Sequence, residues 1–294
     1  MTVGRRKTLF EESLFMNDYT YRNYYFILLN LALSRFKYKN LPFSADARTL
    51  ELVLIENNSC CVFKDEVIDN IVTLPYVQKG NFDIYGNPVR IDAYSRYNDY
   101  RKSLEANEFV IIWNNLTRTN NLIDLQMFAK RLYNLDRIID VNCNAQKTPV
   151  LIKANEKQRL TMKNLYKEYD GNSPFIFGDK NLDINDITAI STNAPFVSDR
   201  IFSLKTQIFN EALTYLGITN VSIQKKERMI TDEVARTQGG TYANRFAFLD
   251  CRTRAFELAN KKFGCNVQVE FNEDVNGLAE QSIKNLVKAG DNDE

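Results

Sequence analysis

The sequence predicts a helix-rich α+β fold, and three observations carry that reading. Two long helical patterns run from Leu122 to Gln146 and from Phe196 to Leu216. A turn-rich module bounded by Thr148-Pro149 and Ala194-Pro195 separates them. Ahead of both, the chain alternates short helical stretches with strand-like runs, which makes a mixed α/β body rather than a helical bundle.

The chain opens on a basic arm within residues 1–10, Gly4-Arg5-Arg6-Lys7. A helix follows from about Glu11 to Lys39, where Tyr21, Tyr25, Leu28 and Ala32 recur at helical spacing and Leu41-Pro42 ends the pattern. A short helix covers Asp46 to Glu56. Strand-like runs stand at Cys60 to Phe63 and Val67 to Leu74, and Tyr85-Gly86-Asn87-Pro88 forms the turn of a hairpin. The run Phe109-Val110-Ile111-Ile112-Trp113, apolar throughout, reads as the central strand of one sheet.

In the first long helix Leu125, Phe128, Leu132, Leu135 and Ile139 step by three and four, a seam that needs a neighbouring helix. Ile123, Met127 and Ile138 lie off that seam, and a helix apolar on more than one side packs on more than one side. A core helix of a monomer and a helix packed between subunits both fit this pattern. The module that follows starts with Val150 to Ile152, turns at Tyr169-Asp170-Gly171-Asn172-Ser173-Pro174, and carries strand-like runs at Phe175-Ile176-Phe177 and Ile187 to Ile190. At about 45 residues it is a compact insert, too small for an independent core.

The second long helix has Val197, Ile201, Leu204, Ile208 and Tyr215 on its apolar face, with Gly217 as its C-terminal cap. Its opposite stripe, Asp199, Ser203, Thr206, Asn210 and Thr214, is polar and short. Apolar pattern is lost through Arg236-Thr237-Gln238-Gly239-Gly240-Thr241, which reads as a mobile loop. A helix from about Asn244 to Phe263, a strand from Asn266 to Phe271, an amphipathic stretch near Leu278 to Val287 and an acidic end, Asp291 to Glu294, complete the chain.

Composition narrows the function classes. With 294 residues, 44% of them hydrophobic, the chain can bury one sizeable core or two smaller ones. The 38 Lys and Arg against 37 Asp and Glu leave a net charge of +1, too little for a grip on nucleic acid by bulk phosphate neutralisation. The absence of histidine removes the usual general base and the commonest zinc ligand. Five cysteines without a C-x-x-C pair read as reduced thiols in a cytosolic compartment. The run from Tyr24 to Phe36 is broken by Asn30, Ser34 and Arg35 and falls short of a membrane span.

Two segments carry a resemblance: Asn144-Ala145-Gln146-Lys147-Thr148-Pro149-Val150-Leu151-Ile152 and Lys225-Lys226-Glu227-Arg228-Met229-Ile230-Thr231-Asp232-Glu233-Val234. Both resemble the head-tail connector, or portal (upper collar), proteins of salasvirus-type small podoviruses. The similarity extends over about Tyr21 to Phe271. It implies a phage portal fold and a ring-shaped homo-oligomer, a dodecamer, placed at one vertex of the capsid in the virion. In the divisions it implies, residues 11–121 are the wing, 122–147 a stem helix and 148–195 the clip. Residues 196–217 are the second stem or channel helix, 218–243 a Lys-rich segment and tunnel loop, and 244–294 a C-terminal wing or crown.

The resemblance also implies partners and candidate residues. The expected partners are the major capsid and scaffolding proteins, a packaging ATPase, a tail or lower collar protein and double-stranded DNA, with a packaging RNA in some relatives. Arg200 and Lys205 fall where the family places basic residues, so ring symmetry would make each a belt of charge; Lys225, Lys226, Arg228 and Arg236 are further DNA-channel candidates. Thr231, Asp232, Glu233, Gln238, Gly239 and Gly240 correspond to the tunnel loop, and Arg5, Arg6 and Lys7 to an arm that meets the motor or DNA. The bland alternatives are helix-surface contacts for the basic side chains and a solvated terminus for the arm. Trp113 and the tyrosines fit core and subunit packing better than base stacking.

No catalytic residue, cofactor or metal is expected. There is no G-x-x-x-x-G-K-[ST] loop, so ATP hydrolysis belongs to a separate protein. A competing reading is a non-catalytic nucleic-acid-binding protein of low oligomeric state, gripping through the arm and Lys225-Lys226-Glu227-Arg228. An enzyme would have to use carboxylates such as Asp232 and Glu233 or a nucleophile such as Cys143, none of which has a recognisable base beside it.

Overall fold

The computed structural model describes residues 9–146, 150–152, 187–189, 195–219 and 231–277. The chain divides into two compact units, one of residues 1–133 with 205–294, the other of residues 134–204.

The first unit is built around strand β2 (Ser59–Asp65), which pairs antiparallel with β3 (Asn70–Leu74) on one side and β7 (Phe109–Trp113) on the other. A second sheet, β4 (Tyr76–Phe82), β5 (Pro88–Tyr94) and β6 (Arg101–Glu105), is a meander ordered β4-β5-β6. Successive side chains of a strand point to opposite faces. Cys61 and Phe63 therefore meet Ile91, Ala93 and Leu104 of the second sheet. Cys60 and Val62 meet Leu50 and Leu54 of helix α2 (Ala47–Asn57) on the other face. Burial between two layers explains why Ser59 to Phe63 are all buried despite two adjacent cysteines. It also pushes the Cys61 thiol up to about 12, far from thiolate chemistry.

Two sequence expectations are corrected here. The body is built around two three-stranded sheets, not one, and the central strand of the first is β2, with β7 at an edge. The apolar run of β7 reflects burial on its faces rather than strand neighbours on both sides: Val110 and Ile112 lie in one cluster, Phe109 in the other. Strand β6 has one buried side chain, Leu104, among charged neighbours, which is why no apolar run marked it.

Helix α1 (Leu9–Leu33) also stops earlier than its periodicity suggested. The Ser34 hydroxyl donates to the Asn30 carbonyl at 2.8 Å, and Phe36–Lys39 becomes strand β1, paired with β10 (Gln268–Phe271) from the far end of the chain. Helix α2 follows its local signals: Asp46 accepts from the Thr49 N–H at 2.9 Å as N-cap, and Asn58 takes the left-handed conformation, φ +68°, after the last turn.

Three helices share a third apolar cluster. Leu28 and Ala32 of α1, Leu125, Ala129 and Leu132 of α3 (Leu122–Gln146) and Phe209, Leu213 and Leu216 of α4 (Ser198–Leu216) are buried together. Helix α5 (Thr231–Phe263) closes the unit, packing Ala255, Phe256 and Ala259 against the face of the first sheet. It runs unbroken through Arg236, Gln238, Gly239 and Gly240, so residues 231–243 are helical where a mobile loop was expected. Each glycine costs a helix about 1 kcal/mol, a local penalty that packing outweighs. Asn244 donates to the Thr214 carbonyl at 2.9 Å and Arg245 to the Gly217 carbonyl at 2.9 Å, pinning the turn that follows the glycines.

At the centre of this unit lies a buried charge network. Arg252 of α5 and Glu51 of α2 form a two-pronged ion pair at 2.7 and 2.8 Å, both almost completely excluded from solvent. Tyr38 donates to Glu51, and Arg252 also reaches the Asn114 carbonyl at 2.8 Å. Arg35 is fully buried, stacked 4.4 Å from the Phe248 ring; burial and the neighbouring Arg252 hold it down at about 10.

In the second unit β8 (Val150–Ile152) pairs with β9 (Ile187–Ala189). Asn142 ties together the two strands of chain that lead into and out of this segment. Its carbonyl oxygen accepts from the Val197 N–H at 3.1 Å and the Ser198 hydroxyl at 3.0 Å, and its amide donates to the Pro195 carbonyl at 2.9 Å. One side chain thereby starts α4 and fixes the point where the insert returns.

Candidate channel and assembly surfaces

Helix α4 exposes Asp199, Arg200, Ser203, Leu204, Gln207 and Glu211. Its buried side is Phe209, Ala212, Leu213 and Leu216, so the helix is turned away from the apolar face expected from periodicity. Two consequences follow for the predicted residues. Leu204, expected inside, is 44% exposed. Lys205, expected to face a channel, is buried, with its ammonium 5.5 Å from the centre of the Tyr24 ring. The reason is geometric: residues 205, 209, 212 and 216 form one helical row, and α1 covers that row. Arg200 is exposed.

Helix α3 has two apolar faces. Leu125, Ala129 and Leu132 are buried, whereas Ile123, Met127, Ile138 and Val141 are 69, 40, 48 and 61% exposed. At 100° per residue these four fall within an arc of about 60°, opposite the buried seam. Periodicity singled out the first three of the stripe, and the structure adds Val141.

The remaining predicted residues divide simply. Arg5, Arg6, Lys7, Lys225, Lys226 and Arg228 lie outside the described residues, as do the turn from Tyr169 to Pro174, the run Phe175 to Phe177 and the stretch from Leu278. Thr231, Asp232, Glu233, Arg236, Gln238, Gly239 and Gly240 belong to α5, with Gly239 and Gly240 exposed. Cys143 sits 3.5 Å from the Ser198 hydroxyl, a contact that supplies no base. Among the described residues no three His, Cys, Asp or Glu side chains gather as a metal site, and no helix is long and apolar enough to cross a membrane.

Two long helices precede and follow the insert in the chain, and each carries uncovered side chains, apolar on α3 and mostly polar on α4. The same fold is seen in a chain of the portal and tail of native bacteriophage P68, with a TM-score of 0.51 at 14% identity over 99% of this chain and 100% of that one. Lower similarity is found to an HK97-family phage portal protein from Corynebacterium diphtheriae, with a TM-score of 0.39 at 11% identity over 85% and 91% of the two chains. A chain from the virion of a native gene transfer agent particle has a TM-score of 0.43 at 11% identity, over 92% and 84%. The chain belongs to the Phage Connector (GP10) family, whose model matches residues 5–276. It is accordingly a head-tail connector, a structural component of a phage virion.

Proposed function

We propose that copies of this chain close into a ring of about twelve, through which the genome enters and leaves the capsid. The observation that carries this reading is the second apolar stripe of α3, Ile123, Met127, Ile138 and Val141, on a chain of the connector family. A head-to-tail ring needs a surface of each copy to be covered by the next, and a large exposed apolar stripe is what such a surface leaves on the isolated chain. Residues 122–147 and 196–217 serve as the stem, 148–195 as the clip, and the body around β2 as the wing. The ring docks capsid and scaffolding proteins at its wide end and the tail protein at its narrow end. A separate ATPase, in some systems with a packaging RNA, drives the duplex, and the chain itself makes and breaks no bonds.

Purified protein is expected to give a closed ring of about twelve copies by native mass spectrometry and electron-microscope class averages. Replacing Ile123 and Met127 together by Asp places two charges in the seam, at a cost of about 2 kcal/mol or more each, repeated at every interface. The expected result is monomers with an unchanged thermal melt. Rings that persist in this double variant would remove the stripe from the interface. A wild-type monomer that stays monomeric with its scaffold would overturn the ring.

Within the ring, Arg200 forms a belt of positive charge that guides phosphates over roughly a Debye length, about 8 Å at physiological salt. Lys225, Lys226, Arg228 and Arg236 are further candidates, while the burial of Lys205 takes it off the wall in this conformation. Arg200→Gln is expected to lower the packaging rate or genome retention. Unchanged values for both would refute the belt.

A further inference from the structure

The first unit carries a groove beside β7 whose lining includes neither the α3 stripe nor Arg200. Its volume is about 750 Å³, and β7 forms its floor, the β6–β7 turn and the β4–β5 hairpin one wall, and α5 the other. The floor is an open strand edge. The Asn114 N–H donates to the Asn58 carbonyl, which fixes the parity of the ladder: Val110 and Ile112 bond to β2, and Phe109, Ile111 and Trp113 turn their backbone groups the other way. Lys262 confirms that direction, donating to the Phe109 carbonyl at 2.9 Å. Ile111 and Trp113 have no edge partner among the described residues.

The walls are pre-organised and basic. Arg118 lies 4.3 Å from the centre of the Trp113 ring and donates to the Asn87 side chain at 3.0 Å, holding the hairpin turn in place. Arg254, Lys261 and Lys262 line the opposite wall. The two carboxylates present are already engaged, Asp250 by Arg254 at 2.9 Å and Asp83 by the N–H groups of Tyr85 and Asn87. Leu116 and Leu258 add exposed apolar contacts.

We infer that this groove binds an extended acidic segment of a second protein, which adds to β7 as an antiparallel or parallel strand. The outward backbone groups of Ile111 and Trp113 supply main-chain hydrogen bonds, the apolar residues give pockets for alternate side chains, and four cations against two carboxylates leave a net positive lining that favours negative charge. Single-stranded nucleic acid would also meet the cations but has no use for the strand edge, which is what favours a peptide.

The test uses the purified full-length protein and two fluorescent octapeptides, one alternating Glu and Val, the other Lys and Val. Anisotropy is expected to show binding of the acidic peptide alone. The double variant R254E/K261E should weaken it about tenfold or more, since two rim charges are reversed. I111P should abolish it while the protein stays folded with a lowered melt, because the Ile111 N–H lies outside the ladder and an edge strand tolerates proline there, whereas its half-buried side chain is lost. Should I111P fail to fold, isotope-edited infrared spectra of a carbonyl-labelled peptide report strand pairing directly. No binding at millimolar peptide, equal binding of both peptides, displacement by an oligothymidylate at the same salt, or a labelled peptide without a strand signature would each overturn the proposal.

Discussion

Gly217→Ala is expected to destabilise the first unit by about 2–5 kcal/mol, combining the left-handed penalty of about 1–2 with an overpacking cost of about 1–3. Gly217 ends α4 with φ +74°, donating to the Thr214 carbonyl while Ile218 donates to that of Leu213, the paired bonds of a Schellman motif. A methyl group there would lie 2.7 Å from the Cα and 2.8 Å from the N of Arg245, backbone atoms that cannot swing aside. The same close approach lets Arg245 bond the Gly217 carbonyl. Urea unfolding of the variant measures the loss, and Gly239→Ala is the control. Gly239 is helical with open space around it, so alanine there should stabilise by up to about 1 kcal/mol. A Gly217→Ala loss below about 1 kcal/mol would contradict the packing of α5 on the end of α4.

Glu51→Gln should cost about 3–5 kcal/mol, because it leaves Arg252 buried without its counter-charge. Arg35 already stands nearby, fully buried and held at about 10 by desolvation and by Arg252, so the neutralised site would hold two cations and no carboxylate. The sign of the effect separates pairing from packing. Removing both partners, as in Glu51→Leu with Arg252→Met, should recover most of the loss, since well-packed apolar residues can replace a buried pair. Thermal or denaturant melts of the two single variants and the double variant give the coupling. Additive losses would show that each side chain acts through shape alone.

The candidate surfaces were legible in the sequence to the extent that they are periodic. Ile123, Met127 and Ile138 stand out from Leu125, Phe128 and Leu132 by helical spacing alone, and the structure puts the two sets on opposite sides. Lys205 was not legible, because Val197, Ile201 and Leu204 drew the apolar face of α4 to the wrong side, and only the position of Tyr24 shows which row is covered. The groove beside β7 was hidden for a related reason. An edge strand buried on both faces carries the same apolar run as a central one, and the difference lies in its neighbours.

What this sequence determined by itself is local. The span of α3 from Leu122 to Gln146, the N-cap at Asp46, the C-cap at Gly217 and the hairpin turn at Tyr85-Gly86-Asn87-Pro88 all rest on side chains within one or two turns of each other. Hydrogen bonds and sterics at that range act whatever the rest of the chain does. The tertiary structure decided the rest: the pairing of Phe36 with Phe271, the rotation of α4, the passage of α5 through Gly239-Gly240, and the open edge of β7. Each of these sets a local preference of about 1 kcal/mol per residue against burial of whole side chains worth about 2 kcal/mol each, and the partners that make the burial possible come from the opposite end of the chain.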